Sequence, residues 1–269
     1  RKMSFQQTET VIEPMSSGTV GYTKAVDHKR LKFILDQLYD YIPSKGKVLD
    51  VGCGNGLMSM AVGQVGYHTL GVDISEKAIQ KANQNNTLSH VNFKVMSANA
   101  LVADGFTYDA IICSEVLEHL DDPSNLLQTL YQLLSDRGVL IITVPNGRGP
   151  RELLITKPMQ KLQKNGGFLL AAVKAFKKTL GYTGTTEQSD ADDLTHVQFF
   201  TKQSLSNMLD TQNFRMATFG KANFLADVFP FSMLANRSYM LQKLDCRLAD
   251  TLPHYCTCGF YSAWIKNNE

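Results

Sequence analysis

The chain reads as an α/β protein built on a doubly wound sheet, and three observations predict this. Short apolar runs suited to buried strands alternate with longer helical segments between about residues 24 and 146. One such run, Val48-Leu49-Asp50-Val51, feeds directly into the glycine turn Gly52-Cys-Gly-Asn-Gly56. The next run, His68–Val72, ends in Asp73, 17 residues beyond Gly56. In open sheets of this kind, ligands gather beyond the carboxyl ends of the strands.

Each element has its own signal. A helix from about Lys24 to Tyr41 carries Leu31, Ile34, Leu35 and Leu38 on one face and stops before Pro43. The first strand is 47–51, followed by a helix to about Val65 and a second strand at 68–72. A helix at 75–85 starts on Ser75, a good N-cap residue. Val91–Val95 alternates as a strand should. Tyr108–Cys113 is a continuous apolar run, as expected of a strand covered on both faces. A helix at about 123–134 and a strand at 139–144 complete five strand–helix units.

The glycine turn lets the backbone approach a ligand, and Asp73 offers a carboxylate where ribose hydroxyls would lie. Together they predict a nucleoside-containing cofactor. A dinucleotide site calls for G-x-G-x-x-G facing a pyrophosphate. Here the glycines alternate as G-x-G-x-G, and Asp50 stands inside the strand two residues earlier. A carboxylate there repels a diphosphate and suits a cationic or amino-bearing ligand.

Asp50-Val-Gly-Cys-Gly-Asn-Gly56 resembles the cofactor loop of class I S-adenosylmethionine-dependent methyltransferases. That resemblance implies a Rossmann-like, mostly parallel sheet with an antiparallel C-terminal strand. Leu194–Thr201, the helix 202–209 and Asn213-Phe214 are similar to the segment after the fifth strand in small-molecule methyltransferases. Leu252–Tyr255 and Gly259–Lys266 are similar to their closing hairpin strand. By the same resemblance, the backbone of Gly52 and Gly54 meets the methionine part of S-adenosylmethionine and Asp73 binds the ribose. Asp50 orders the loop and faces the cofactor's amino group. Cys53, Ile74, Ser97, Ala98 and Cys113 complete the implied cofactor-binding set. Many relatives carry Gly-Asp-Ala where this chain has Met96-Ser97-Ala98, so Ser97 or Asn99 takes over the adenine contact, or both are ordinary turn residues.

After the fourth strand comes Cys113-Ser-Glu115-Val-Leu-Glu118-His119. If Glu115 opens a helical turn, Glu118 and His119 face the same way three and four residues on. Such a face holds a divalent cation, with Mg or Mn favoured over zinc, or supplies a base. The run resembles E-x-x-E-H of the 3-demethylubiquinone O-methyltransferase family, where it is associated with divalent metal. Similar runs also occur in methyltransferases without a metal, where a structural role is the alternative. Methyl transfer requires alignment of nucleophile and methyl, exclusion of water and often removal of a proton. His119 and His196 are the candidate catalytic bases. The absence of an Asn-Pro-Pro-Tyr-type run disfavours methylation of DNA bases and points to a small-molecule oxygen. C- and N-methylation, a non-catalytic S-adenosylmethionine-binding protein and a Rossmann oxidoreductase are the alternatives.

The composition narrows the partners. A net charge of +2 gives no nucleic-acid signature. Five cysteines, an odd number, favour reduced thiols and a cytoplasmic setting, and Cys256-Thr-Cys258 lacks the spacing of a zinc site. No signal peptide and no membrane-spanning run is visible in the sequence. Residues 1–269 are expected to form one domain, with an arm at 1–23 whose Tyr22 reaches the ligand, and a helical lid at 147–193. Residues 153–182 hold six lysines and no acid, with Leu169, Val173, Phe176 and Leu180 on one helical face. That pattern fits a substrate lid, a peripheral membrane contact, or a helix packed on the domain or at a homodimer interface.

Overall fold

A computed structural model describes residues 21–159 and 196–267. Seven strands form one sheet in the order β3-β2-β1-β4-β5-β7-β6. They are β1 (Lys47–Val51), β2 (His68–Asp73), β3 (Val91–Val95), β4 (Tyr108–Ser114), β5 (Leu134–Pro145), β6 (Phe214–Lys221) and β7 (Gly259–Lys266). The first five pair in parallel, while β7 runs antiparallel to both β5 and β6. The expected mostly parallel sheet with an antiparallel final strand is therefore present. The chain order reverses between β1 and β4, which opens the crevice where such sheets bind ligands.

Alternate residues of the central strands feed two cores. Leu49, Val51, Ile111, Cys113, Leu140 and Ile142 face one side, packed with Leu127 and Leu130 of α5 (Pro123–Leu133) and with Leu205 and Leu209. Val48, Ala110, Ile112, Val139 and Ile141 face the other, against Leu31, Ile34 and Leu38 of α1 (Ala25–Tyr41) and Met58 and Val62 of α2 (Leu57–Gln64). Both faces are covered, which is why these strands read as unbroken apolar runs. Of the α1 stripe predicted from spacing, Leu31, Ile34 and Leu38 are buried and Leu35 is half-buried against the same core.

Caps set several boundaries. Ser75 Oγ accepts the Ala78 amide at the start of α3 (Glu76–Asn85). Asp122 accepts from the amides of Ser124 and Asn125 ahead of α5, with Pro123 at its first turn. A reciprocal Thr201–Ser204 capping box starts α6 (Lys202–Thr211), where α4 is the short turn Ala98–Leu101.

Two elements differ from expectation. β5 begins at Leu134, not 139, and its pairing with β4 jumps from Tyr108↔Leu134 to Ala110↔Val139. The polar residues Ser135-Asp136-Arg137-Gly138 form the irregularity and hide the buried Leu134 from any periodicity argument. Between β6 and β7 the chain inserts α7 (Phe231–Ala235) and α8 (Tyr239–Thr251). Lys29 of α1 ties this insertion down, donating to the carbonyls of Ala222 and Cys246 and to Asp250. Asp245 of α8 accepts the amides of Phe224, Leu225 and Ala226. All five cysteines are free. No described helix is long and apolar enough to cross a membrane. Most of the expected arm and of the expected lysine-rich lid, including Lys174, Lys177 and Lys178, lies outside the described residues. Tyr22 sits edge-on to His28 with ring centroids 6.3 Å apart.

Candidate functional site

The glycine turn leaves β1 with its backbone fastened to β2: the Gly52 and Cys53 amides both donate to the Val72 carbonyl, at 2.8 and 3.1 Å. Gly52 has φ +69, and a Cβ there would lie 2.5 Å from Val116 Cγ2. Only glycine fits that position. Asp73 closes the loop from the neighbouring strand, where Oδ2 accepts the Gly54 amide at 2.9 Å and Oδ1 the Ser75 amide at 2.8 Å. Each carboxylate oxygen keeps a lone pair for a ligand hydroxyl.

Asp50 lies beneath the loop, 2% exposed, with Oδ2 accepting from Ser59 Oγ at 2.5 Å. Burial raises its pKa to about 7; the Ser59 hydrogen bond opposes this and nearby Asp73 adds to it. A buried carboxyl poised near neutrality becomes a strong attractor for a cation placed over it. Ile74, next to Asp73, is 81% exposed, a bare apolar side chain beside the loop. Ser97 is exposed at the start of α4 and makes no capping bond with its side chain. Asn99 instead accepts from Thr129 Oγ1 at 2.8 Å and links α4 to α5. Cys53 and Ala98 are mostly buried under this surface. Cys113 is fully buried in the core, so it underlies the strand ends and offers no exposed atom to a ligand.

Past β4 the expected helical face does not form. Glu115 takes φ +58, and the turn that follows is a 3-10 helix, Leu117–His119. This turns Glu115 into a separate network: its Oε1 accepts from Thr143 Oγ1 at 2.9 Å and lies 3.8 Å from Arg30 Nη1. The side chains that come together here are Glu118, His119 and His196, whose ligand atoms all lie within 4.8 Å of one another, while Glu115 of the expected Glu115–Glu118–His119 trio bonds elsewhere. The Glu118 carbonyl brings His196 in by accepting the amides of Val197 and Gln198, at 2.8 and 3.0 Å. The two imidazole centroids are 5.3 Å apart. Glu118 is 1% exposed, and neither carboxylate oxygen has a hydrogen-bond partner. Burial pushes its pKa well above the carboxylate range; Glu115 adds to the rise and Arg30 opposes it.

Two members of this cluster escape the sequence reading. Arg30 is 9% exposed; burial alone would lower its pKa, but Glu115 and Asp27 outweigh that and hold it charged. Its signal is a long cation among the apolar positions of α1, one turn before Ile34. Glu152, fully buried, opens a π-helical turn (Glu152–Thr156), and its Oε1 lies 3.3 Å from His196 Nδ1. Its signal is an acid directly ahead of the lysine-rich, acid-free stretch.

The fold agrees with comparisons to known proteins. The chain spans about half the length of the curated relatives it matches. It is 35% identical over 113 residues to a ubiquinone biosynthesis O-methyltransferase of Leptothrix cholodnii, covering 40% of this chain and 48% of that one. It is 33% identical over 131 residues to the mitochondrial ubiquinone biosynthesis O-methyltransferase of Homo sapiens, covering 44% and 36%. Among solved structures, a Synechocystis magnesium protoporphyrin IX methyltransferase with bound SAH superposes with a TM-score of 0.54 at 17% identity, covering 90% and 83% of the two chains. A Burkholderia thailandensis 1,6-didemethyltoxoflavin-N1-methyltransferase gives 0.53 at 14%, covering 91% and 80%. These two share the fold. A family profile described as a methyltransferase domain matches residues 22–218, and the chain belongs to that family.

Proposed function

We propose that the chain is an S-adenosylmethionine-dependent methyltransferase acting on a hydroxyl oxygen of a small molecule. The observation that carries this is the loop itself. Asp73 sits at the tip of β2 with lone pairs to spare, and the buried Asp50 under the glycine turn suits a sulfonium and an ammonium but not a diphosphate. Ile74 and Ser97 flank the place where adenine would lie. The names of the curated relatives, O-methyltransferases of ubiquinone biosynthesis, support a hydroxyl acceptor.

S-adenosylmethionine held at the loop would supply an activated methyl group, its carbon–sulfur bond breaking, with the pair returning to sulfur, as the acceptor oxygen bonds to the methyl carbon. The acceptor's proton goes to an imidazole of the His119–His196 pair. The glycine loop would hold the cofactor side in place, and the turn at Glu118 would present the acceptor side.

The trio Glu118, His119 and His196 also fits a divalent cation, because the buried Glu118 carboxylate, without a hydrogen-bond partner, brings an oxygen within 4.8 Å of a nitrogen of each imidazole. Such an ion would act as a Lewis acid toward a bound hydroxyl. The lysine-rich segment 153–182 is proposed as a peripheral contact with an anionic membrane, supported by its charge pattern. Reduced thiols at all five cysteines fit a cytoplasmic setting, and a homodimer through the same segment is the further reading.

The deciding experiment is calorimetric titration with S-adenosylmethionine, S-adenosylhomocysteine and NADH, followed by turnover of 3,4-dihydroxybenzoate as a phenolic probe, with and without Mg. Micromolar binding of the first two and O-methylated product are expected. Binding of NADH instead, or of none of the three, overturns the cofactor assignment. Cofactor binding without O-methylation overturns the acceptor class alone.

A further inference from the structure

The helix pair between β6 and β7 buries its small side chains and exposes its large ones. On α8, Cys246 and Ala249 are buried, while Met240, Leu241, Leu244 and Leu248 stand in the open. Positions 240, 244 and 248 are four residues apart, so they run as one stripe along the helix. On α7, Ser232 and Ala235 are buried while Phe231 and Leu234 are exposed. The Gln242 side chain donates to the Ala235 carbonyl at 3.1 Å and ties the two helices together. The six large side chains are between 46% and 71% exposed. An ordinary surface helix is turned the other way, with its apolar stripe toward the core. A cluster of large apolar side chains left in water marks an interaction surface.

The charges around it select the partner. Arg237, Lys243 and Arg247 are exposed on the same pair, and none of them has an acidic partner among the described residues. The acids of α8 are taken up internally: Asp245 accepts three backbone amides and Asp250 pairs with Lys29. The outward surface is therefore apolar and cationic. A groove of about 300 Å³ at α7 repeats that chemistry, lined by Pro230, Phe231, Met233, Leu234 and Arg237. Apolar walls with a guanidinium among them suit an acyl chain and its phosphate. A second copy of the chain suits them less, because a two-fold contact sets the face against itself and brings like charges together. The location agrees as well. The pair leads into β7 at Gly259, opposite Pro145 at the carboxyl end of β5, which is the end of the sheet where ligands gather.

We propose that α7 and α8 form a docking surface for an anionic phospholipid bilayer. The Met240–Leu244–Leu248 stripe enters among the acyl chains, and Arg237, Lys243 and Arg247 meet the phosphates. This docking rests neither on methyl transfer nor on the lysine-rich stretch.

The test uses the full chain carrying Leu244→Trp as a reporter. The native indole, Trp264, is the only one in the chain and is fully buried, so it supplies a constant background. In mixed phosphatidylcholine–phosphatidylglycerol vesicles, bromine on the acyl chains should quench the introduced indole. Vesicles of phosphatidylcholine alone should bind at least roughly tenfold more weakly. Arg237→Glu, Lys243→Glu and Arg247→Glu together should weaken partitioning into the mixed vesicles roughly 100-fold. Met240→Ser with Leu248→Ser should weaken it at least roughly tenfold, with an unchanged circular dichroism spectrum. If these variants do not fold, the quenching of Leu244→Trp decides. A chain that ignores the vesicles overturns the proposal. So does one that binds them while the indole stays unquenched, because it is then held by another surface. A dimer in sedimentation velocity that Leu244→Ser dissolves would give the face to a second copy and overturn it too. None of these measurements needs turnover, so they stand whether or not the proposed methyl transfer does.

Discussion

Replacing Asp50 with Asn separates the cost of the buried carboxyl from its use. In the fold its pKa rises from an ordinary 3.8 to about 7, mainly through burial. Each pKa unit is worth about 1.36 kcal/mol, so ionising Asp50 in the folded state costs on the order of 4 kcal/mol. The folded state holds this proton more tightly than the unfolded chain. Stability is therefore complete below about pH 4 and falls as pH rises to 7, after which the full cost stands. Asp50→Asn removes the titration while keeping an acceptor for Ser59. Urea unfolding of both proteins at pH 4, 6 and 8 should show the variant gaining about 2–4 kcal/mol relative to wild type across that window. The same carboxyl should ionise when a cationic cofactor settles over it. Calorimetry in buffers of different ionisation enthalpy should then find about half a proton released per S-adenosylmethionine at pH 7, and almost none in Asp50→Asn. Parallel stability profiles would refute the buried-charge argument. Proton release unchanged in the variant would refute the placement of the cation.

Other consequences follow from the same geometry. Asp73→Ala deprives the Gly54 and Ser75 amides of their acceptor, bonds of about 1.5–3 kcal/mol each, and should weaken S-adenosylhomocysteine at least roughly tenfold by calorimetry; unchanged affinity would remove Asp73 from the cofactor site. Gly52→Ala should destabilise by about 1–3 kcal/mol in thermal unfolding, and Val116→Ala beside it should recover part of that, because the new Cβ meets Val116 Cγ2. Glu118→Gln should abolish any Mn binding seen by electron paramagnetic resonance, whereas Glu115→Gln should retain it, since Glu115 bonds Thr143 instead. Replacing Lys174, Lys177 and Lys178 with Glu should release the chain from anionic vesicles in co-sedimentation; a wild type that ignores such vesicles ends the membrane reading.

The parallel half of the fold was legible because its strands are covered on both faces. β1 and β3 fall at the expected residues, and β4 and β2 differ by a single residue at one end. The start of β5 was hidden because four polar residues bulge out between Leu134 and Val139. The pair α7–α8 gave no warning, since its anchors, Lys29 and Asp245, are ordinary charged residues whose partners lie far along the chain. The cofactor loop is local, so its residues could be read one by one. The Glu118 cluster is not local. It gathers positions 30, 115–119, 152 and 196 from four segments, and the positive φ of Glu115 redirects the side chain that spacing alone would place with Glu118. Periodicity describes one segment at a time and carries no information about which segments meet.

The bond from the Gly147 amide to Phe200 O joins the two ends of a long excursion of the chain. A tie at the base makes that excursion a side loop whose length hardly concerns the sheet, because closing a loop twice as long costs only about 0.6 kcal/mol more. What enters at Gly147 must leave at Phe200 in the same place. The intervening chain can therefore be lengthened, shortened or exchanged while His196, just inside the tie, keeps its station beside Glu118. Such a joint lets the two turns that it fastens hold their places whatever the length of chain between them.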